Sequence, residues 1–492
     1  MAQICGTVTG KTMAEVRSAR DAAVSAGADI VEVRLDGVDR PDPAAALDGR
    51  LRPVIVTCRP TWEGGAFDGS EEERHRLLVD AMTAGAEFVD VELRAATALE
   101  IVRMRRGRGV IVSSHRFDAS DGDLDLPAQF RALRSTGAEI VKLAVSVDSL
   151  AATVPLFELG ASAGRDQADG LGHLLIAMGP RGAHTRVLAG RLRNRWTYAG
   201  DGVAPGQMPA AQLLGDFAFR RIRPDAALYG VVGSPIAHSL SPAMHNAGFA
   251  DAGFDSVYVA LDAKDAGDFV TFAQAMNMRG ASITAPFKVD LFKHADDCDP
   301  LARDVGAVNT LLMRDGKWTG SNTDVDGLLH PLAERIGLSG RRAAVLGAGG
   351  AARAAAVGLN QAGARVRICA RRAEQAVTLA AALGVEVGAF PPPPGSWDVL
   401  VNTVPYVAGQ KHSPVADVPL DGRIVFDLTY APAVTPLIAQ ARDAGIETIG
   451  GLEMLTRQAE KQFETWTGAL PPAGLFKRAA EAARARNTGV PS

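Results

Sequence analysis

Cysteine is scarce in this chain, and the four present, Cys5, Cys58, Cys298 and Cys369, lie far apart. With no CxxC pair and no histidine cluster beside them, they form neither a disulfide framework nor a metal site; reduced thiols and no bound metal are expected. Positive charge is not in excess either: 52 Lys and Arg stand against 56 Asp and Glu, a formal net charge of -4. Such a balance offers nucleic acid no electrostatic footing, and the one basic stretch, Phe476 to Arg486, reads as a solvated terminal helix. Long hydrophobic runs are missing too, with nothing near the roughly 18 apolar residues that a membrane helix needs. The first residues, Gln3 to Val8, read as a strand and not as a basic leader, so a cytoplasmic protein without membrane attachment is expected. Neither composition nor spacing speaks to oligomeric state.

What the chain does have is an average globular composition, 47% hydrophobic and 22% charged, over 492 residues. That length exceeds one ordinary core and calls for two or three domains. Short runs rich in Val and Ile recur at Gln3 to Val8, Asp29 to Leu35, Pro53 to Cys58, Glu87 to Leu93, Val110 to Ser114, Glu139 to Ala144, Leu174 to Met178 and Trp196 to Ala199. Helical-period stretches such as Met13 to Ala26, Glu71 to Ala84 and Pro127 to Ser135 lie between them. Eight β/α units predict an α/β architecture that begins with a (β/α)8 TIM barrel over residues 1–218. The polar, proline-containing segment 219–227 then reads as a linker. Beyond it, an α/β segment over 228–335, completed by helices within 452–486, flanks a Rossmann dinucleotide-binding segment over 336–451.

Several barrel strands break the apolar rule for buried parallel strands. By the period of two, Glu32 and Arg34 share one face of the second run, Asp90 and Glu92 repeat the pattern in the fourth, and Lys142 sits alike in the sixth. Arg59 and His115 follow directly on the ends of two other strands, the face where barrel enzymes place their chemistry. A lysine among apolar neighbours and other cations is driven toward the neutral amine, which attacks a ketone to form an imine. The imine draws electrons and acidifies the neighbouring carbon, and a histidine near neutral pKa is suited to take that proton. Arginine forks suit a carboxylate.

The blocks ADIVEVRLD, TCRPTWEGG, FVDVEL, SSHRF, EIVKLA, MGPRGAHTR and APGQ, in that order, resemble type I 3-dehydroquinate dehydratase over about residues 1–217. The resemblance implies Lys142 as the Schiff-base lysine, His115 as general acid and base, and Glu63 as the partner orienting that histidine. It further implies Arg186 at the substrate carboxylate, Glu32, Arg34, Arg59 and Gln207 at the ring hydroxyls, and Met178 and Tyr198 closing the pocket. Two departures from the family pattern, Val203 before APGQ and Arg193-Asn194 before the eighth strand, are expected to touch a substrate-covering loop.

In the second half a small apolar strand, Ala343 to Leu346, leads into GAGGAA and then a helical run, the setting of a dinucleotide loop whose backbone approaches a pyrophosphate. The carboxylate usual after the next strand is missing, and Arg371 and Arg372 stand there, which favours a 2′-phosphate and hence NADP. Upstream lie SPIAHSLSPAMHN, SITAPFK, GAVNT and GSNTDVDG, an inventory of hydroxyls and amides with one lysine and one aspartate fit for a polyhydroxylated acid. Lys288 and Asp324 are expected to form a buried pair that stabilises oxygen charge during hydride transfer.

That order, with the closing GLEMLTRQAEKQFETWTG, resembles shikimate dehydrogenase over residues 228–475. The resemblance implies Lys288 and Asp324 as catalytic pair and Ser239, Ser241, Thr284, Asn309, Tyr430 and Gln458 as shikimate ligands. Gly347, Ala348, Gly349, Gly350, Ala351, Arg371, Arg372, Thr403 and Gly451 would serve NADP(H). Together the halves imply dehydration of 3-dehydroquinate followed by NADPH-dependent reduction of 3-dehydroshikimate to shikimate. Two other readings stay open: a quinate dehydrogenase in the second half, or one half acting as a non-catalytic quinate- or shikimate-sensing module.

Overall fold

The structure, a computed structural model, describes residues 2–117, 125–165, 171–202, 204–407 and 409–488. It contains two compact units, one of residues 1–227 with 255–277 and the other of 228–254 with 278–492.

The first unit is built on eight parallel strands: β1 (Gln3–Val8), β2 (Ile30–Arg34), β3 (Val54–Thr57), β4 (Phe88–Glu92), β5 (Val110–Arg116), β6 (Ile140–Ser146), β7 (Gly172–Met178) and β8 (Trp196–Ala199). Their order, β7-β6-β5-β4-β3-β2-β1-β8, is that of a nearly closed barrel. The intervening helices start where local chemistry dictates: Thr12 with Glu15 and Ser70 with Glu73 form capping boxes at the helices Met13–Ser25 and Glu71–Thr83. The period of two then layers the interior. Ile30, Ile55, Phe88, Ile111, Ile140, Leu174 and Trp196 pack together as an apolar floor. Two residues further along each strand, the same face carries Glu32, Thr57, Asp90, Ser113, Lys142, Ile176 and Tyr198. The floor is apolar, and the second layer carries the ionisable side chains.

Between β7 and β8 the ladder gives way to other donors. Arg195 N–H donates to His173 O at 3.1 Å, and the Asn194 amide accepts from Leu175 N–H at 2.8 Å and donates to Leu175 O at 2.9 Å. Here an expectation fails. Arg193-Asn194 precedes β8, at the end of that strand opposite the catalytic face, and it seals the barrel wall without touching a substrate-covering loop. Val203 lies outside the described residues.

The second sheet, of six strands, runs β10-β9-β11-β13-β14-β12, from β9 (Ala227–Gly233), β10 (Ser256–Asp262), β11 (Gly280–Ile283), β12 (Asp297–Cys298), β13 (Thr310–Arg314) and β14 (Lys317–Ser321). The third comprises β15 (Arg342–Leu346), β16 (Arg365–Cys369), β17 (Glu386–Val387), β18 (Val399–Asn402), β19 (Ile424–Asp427) and β20 (Glu447–Gly450), ordered β17-β16-β15-β18-β19-β20. All its pairings are parallel. The order reverses between β15 and β18, which opens the crevice where doubly wound sheets take their ligands. No helix among the described residues is long and apolar enough to cross a membrane, and all four cysteines are buried and free.

Candidate functional site

A cavity of about 90 Å³ opens at the carboxyl ends of the barrel strands, and every residue expected at the first site lines it: Glu32, Arg34, Arg59, Glu63, His115, Lys142, Met178, Arg186, Tyr198 and Gln207. His115 sits inside β5, which continues to Arg116, and not beyond its end. Lys142 extends from β6 with its Nζ 4.3 Å from the centroid of the Tyr198 ring, 3.5 Å from Asp90 and 3.7 Å from Glu32. Its nearest charged neighbours are therefore carboxylates, and not the cations that the sequence suggested.

Behind the cavity the charges alternate in a buried chain: Arg74 pairs with Glu92, Glu92 with Arg59 at 2.5 Å, Arg59 with Asp90 at 3.0 Å, and Asp90 with Lys142. Burial alone would raise the Asp90 carboxyl, but Arg59 and then Lys142 hold it well below the usual carboxylate range. Each charge has a partner of opposite sign, which is the condition for burying ions without large cost.

His115 is held from its backbone, where its N–H donates to Glu63 Oε1 at 2.6 Å, with the ring Nδ1 3.5 Å from the same oxygen. Burial, then the positive fields of Arg59 and Lys142, push the imidazole well below its usual pKa. It is thus neutral and ready to accept a proton. Burial likewise raises the Glu63 carboxyl.

Arg186 donates from Nε to Gly206 O at 2.8 Å and from Nη2 to Pro205 O at 3.0 Å. No carboxylate among the described residues neutralises it, and burial pushes it down to about 10. A buried cation bonded only to carbonyls is an anion site in waiting. Arg34, by contrast, is clasped by Asp36 at 2.7 Å through two bonds. Gln207 reaches the Thr7 hydroxyl at 3.3 Å.

Sequence reasoning left Thr7 and Phe117 out of the lining, and Arg74 out of the charge chain. A signal for Arg74 did exist: with Leu78 and Ala81 it falls on the buried face of the helix Glu71–Thr83.

In the second unit, Lys288 opens the helix Lys288–His294 and Asp324 the helix Asp324–Ala333, and Nζ stands 2.5 Å from Oδ2. The Asn309 amide donates to Asp324 Oδ1 at 2.8 Å and to Gln458 Oε1 at 3.1 Å, so four expected residues form one network. Thr323, which sequence reasoning passed over, closes it by donating its N–H to Asn309 Oδ1 at 2.8 Å. Ser239 and Ser241 follow β9, and Thr284 follows its parallel neighbour β11, at the same ends of the two strands. Tyr430 follows β19 in the other sheet, and burial raises its phenol.

The glycine loop fits a dinucleotide. Gly347 has φ +113°, and a Cβ there would lie 2.4 Å from Thr403 Oγ1, so only bare backbone passes at the mouth of the β15/β18 crevice. At Gly350, first residue of the helix Gly350–Gln361, a Cβ would press on the Lys288 side chain at 3.3 Å. The start of this helix therefore packs closely against Lys288. Gly451 is required by packing, since a Cβ would collide with Leu428 O at 2.2 Å. Arg371 and Arg372 follow β16 exposed, with no carboxylate in ion-pair reach among the described residues. Helix N-terminus, bare turn and two free guanidinium groups suit a phosphorylated dinucleotide. Among the described residues no group of His, Cys, Asp and Glu is arranged to hold a metal ion.

A family model described as type I 3-dehydroquinase matches residues 4–222. Models of the shikimate dehydrogenase substrate binding domain and the shikimate 5'-dehydrogenase C-terminal domain match residues 231–311 and 451–481. The chain is 34% identical to the chloroplastic bifunctional 3-dehydroquinate dehydratase/shikimate dehydrogenase of Arabidopsis thaliana, over 96% of this chain and 83% of that one. It is 40% identical to a shikimate dehydrogenase (NADP(+)) of Citrifermentans bemidjiense, over 53% of this chain and 97% of that one. A crystal structure of a shikimate dehydrogenase in complex with NADP+ is similar to it at 33% identity and a TM-score of 0.50, covering 53% of this chain and 96% of that chain.

Proposed function

The chain belongs to the bifunctional 3-dehydroquinate dehydratase/shikimate dehydrogenase family, and on that premise we propose how its residues divide the two reactions. It is a lyase and an NADP-dependent oxidoreductase. Residues 1–218 form the dehydratase, 219–227 the linker, 228–335 with 452–486 the shikimate-binding part, and 336–451 the NADP-binding part. The substrates are 3-dehydroquinate and 3-dehydroshikimate, the final product is shikimate, and the cytoplasm is the place of action.

On the barrel, Arg186 holds the substrate carboxylate, while Glu32, Arg34, Arg59 and Gln207 hold hydroxyls. Lys142 condenses with the ring ketone. His115 takes the proton from the adjacent carbon and returns it to the departing hydroxyl, Glu63 fixes the histidine, and Met178 and Tyr198 shut out water. In the second unit, Ser239, Ser241, Thr284, Asn309, Tyr430 and Gln458 hold the ring. When bound by the Gly347–Ala351 loop, Thr403, Gly451, Arg371 and Arg372, NADPH supplies the hydride. Lys288, steadied by Asp324, donates to the carbonyl oxygen as its negative charge grows.

The observation that carries this reading is the convergence of Lys142, His115 and Arg186 on one cavity, matched by the 2.5 Å Lys288–Asp324 pair. Borohydride added with 3-dehydroquinate tests it. A covalent adduct mapped by mass spectrometry to Lys142 is expected, and an adduct elsewhere, or none, rejects the imine assignment. Turnover of quinate in preference to shikimate, or binding without turnover in either half, would favour the two other readings.

A further inference from the structure

Lys142 has two carboxylates within ion-pair reach, and they are not equivalent. Both oxygens of Glu32 are occupied, Oε1 by the Thr57 hydroxyl at 3.0 Å and Oε2 by that of Thr7 at 3.2 Å, and Glu32 lines the cavity. Asp90 is fully buried behind the lining. Its Oδ1 accepts the Ser113 hydroxyl at 2.6 Å and meets Arg59 at 3.0 Å. Its Oδ2 accepts no hydrogen bond among the described residues and faces Lys142 Nζ at 3.5 Å. A buried carboxylate oxygen without a donor is costly and calls for a reason.

We propose that Asp90 is the fixed counter-ion of the protonated imine on Lys142. The inference rests on Lys142 being the imine-forming lysine. When the ammonium condenses with a ketone, the N–C bond forms and the carbonyl C–O bond breaks. Two of the three ammonium protons leave with that oxygen as water, and the third stays on nitrogen. One positive charge therefore sits on the same atom before and after. A carboxylate held by Arg59 and Ser113 balances both states without moving, which is preorganised electrostatic stabilisation of the cation. By keeping the imine protonated, Asp90 preserves the electron-withdrawing form that His115 needs when it removes the neighbouring proton.

The test compares Asp90→Asn with Glu92→Gln in the full chain. Glu92 pairs with Arg59 as Asp90 does but has no ion pair with Lys142, so it reports the structural share of the chain. For Asp90→Asn, dehydratase kcat falls about tenfold or more near pH 8, and its alkaline limb moves down by about one pH unit, a tenfold change in proton affinity. Glu92→Gln leaves that limb in place whatever it does to KM. An alkaline limb unmoved in Asp90→Asn, or moved equally in Glu92→Gln, overturns the proposal. Should Asp90→Asn fail to fold, Asp90→Glu carries the test: the charge is kept at a changed distance, so the limb must shift, and coincidence with the parent is again fatal. Failure of the underlying reading shows separately, as absence of a borohydride adduct at Lys142 in the parent protein.

Discussion

Replacing Arg186 by Met separates what this side chain does for the substrate from what it costs the fold. Burial pushes the guanidinium from 12.5 down to about 10, and at 1.36 kcal/mol per pH unit that is about 3 kcal/mol of lost stability. The sign follows from linkage: the folded state holds the proton less tightly than the unfolded one, so the penalty is complete below about pH 10 and disappears as pH rises through that value toward 12.5. Arg186→Met removes the penalty but strands the carbonyls of Pro205 and Gly206, at about 1 kcal/mol each. The ligand-free variant should therefore melt at or slightly above the parent. Binding moves the other way. Loss of a buried charge-assisted pair with the substrate carboxylate costs about 2–5 kcal/mol, or roughly one and a half to three and a half orders of magnitude in dehydratase kcat/KM. Calorimetric melting without ligand and steady-state kinetics with 3-dehydroquinate make the check. A variant that melts well below the parent, or that keeps kcat/KM within threefold, refutes the reasoning.

Two further outcomes follow from the same geometry. Arg371→Ala with Arg372→Ala should raise the KM for NADP by about 30- to 700-fold while leaving that for NAD little changed, because each guanidinium contributes on the order of 1–2 kcal/mol to a phosphate; equal losses with both cofactors would contradict the assignment. Because His115 lies well below the ordinary histidine pKa, its basic form persists as pH falls through 6.5 and is lost only at lower pH. The acid limb of dehydratase kcat/KM should accordingly lie below pH 6.5, His115→Ala should lose about 10²- to 10⁴-fold, and an acid limb above pH 6.5 in the parent argues against a neutral imidazole.

Strands that carry charge among apolar residues were the most legible feature of this sequence. Glu32, Asp90 and Lys142 stand out because an interior site explains ions on the inner face of a barrel strand, and the structure sets both carboxylates around the Lys142 nitrogen. Pairings across distance were not legible from spacing: Glu63 meets His115 from 52 residues away, a pair that only the family resemblance named, since no periodicity connects a short turn after β3 to a strand end on β5. The neighbours of Lys142 were misjudged for the same reason, since spacing shows which side chains point inward but not which stand beside each other. Asn194 was misread because its position before β8 was weighed as sequence and not as place. A residue there lies across the barrel from the loops and acts on the β7 backbone.

The central claim, that one chain performs two consecutive reactions, is tested most directly by supplying 3-dehydroquinate and NADPH together and following shikimate formation and NADPH oxidation. One shikimate per NADPH is predicted from the parent protein. Lys142→Ala should fail with 3-dehydroquinate yet still reduce 3-dehydroshikimate, and Lys288→Ala should accumulate 3-dehydroshikimate. Absence of shikimate from the parent, or its formation from 3-dehydroquinate by Lys142→Ala, contradicts the account.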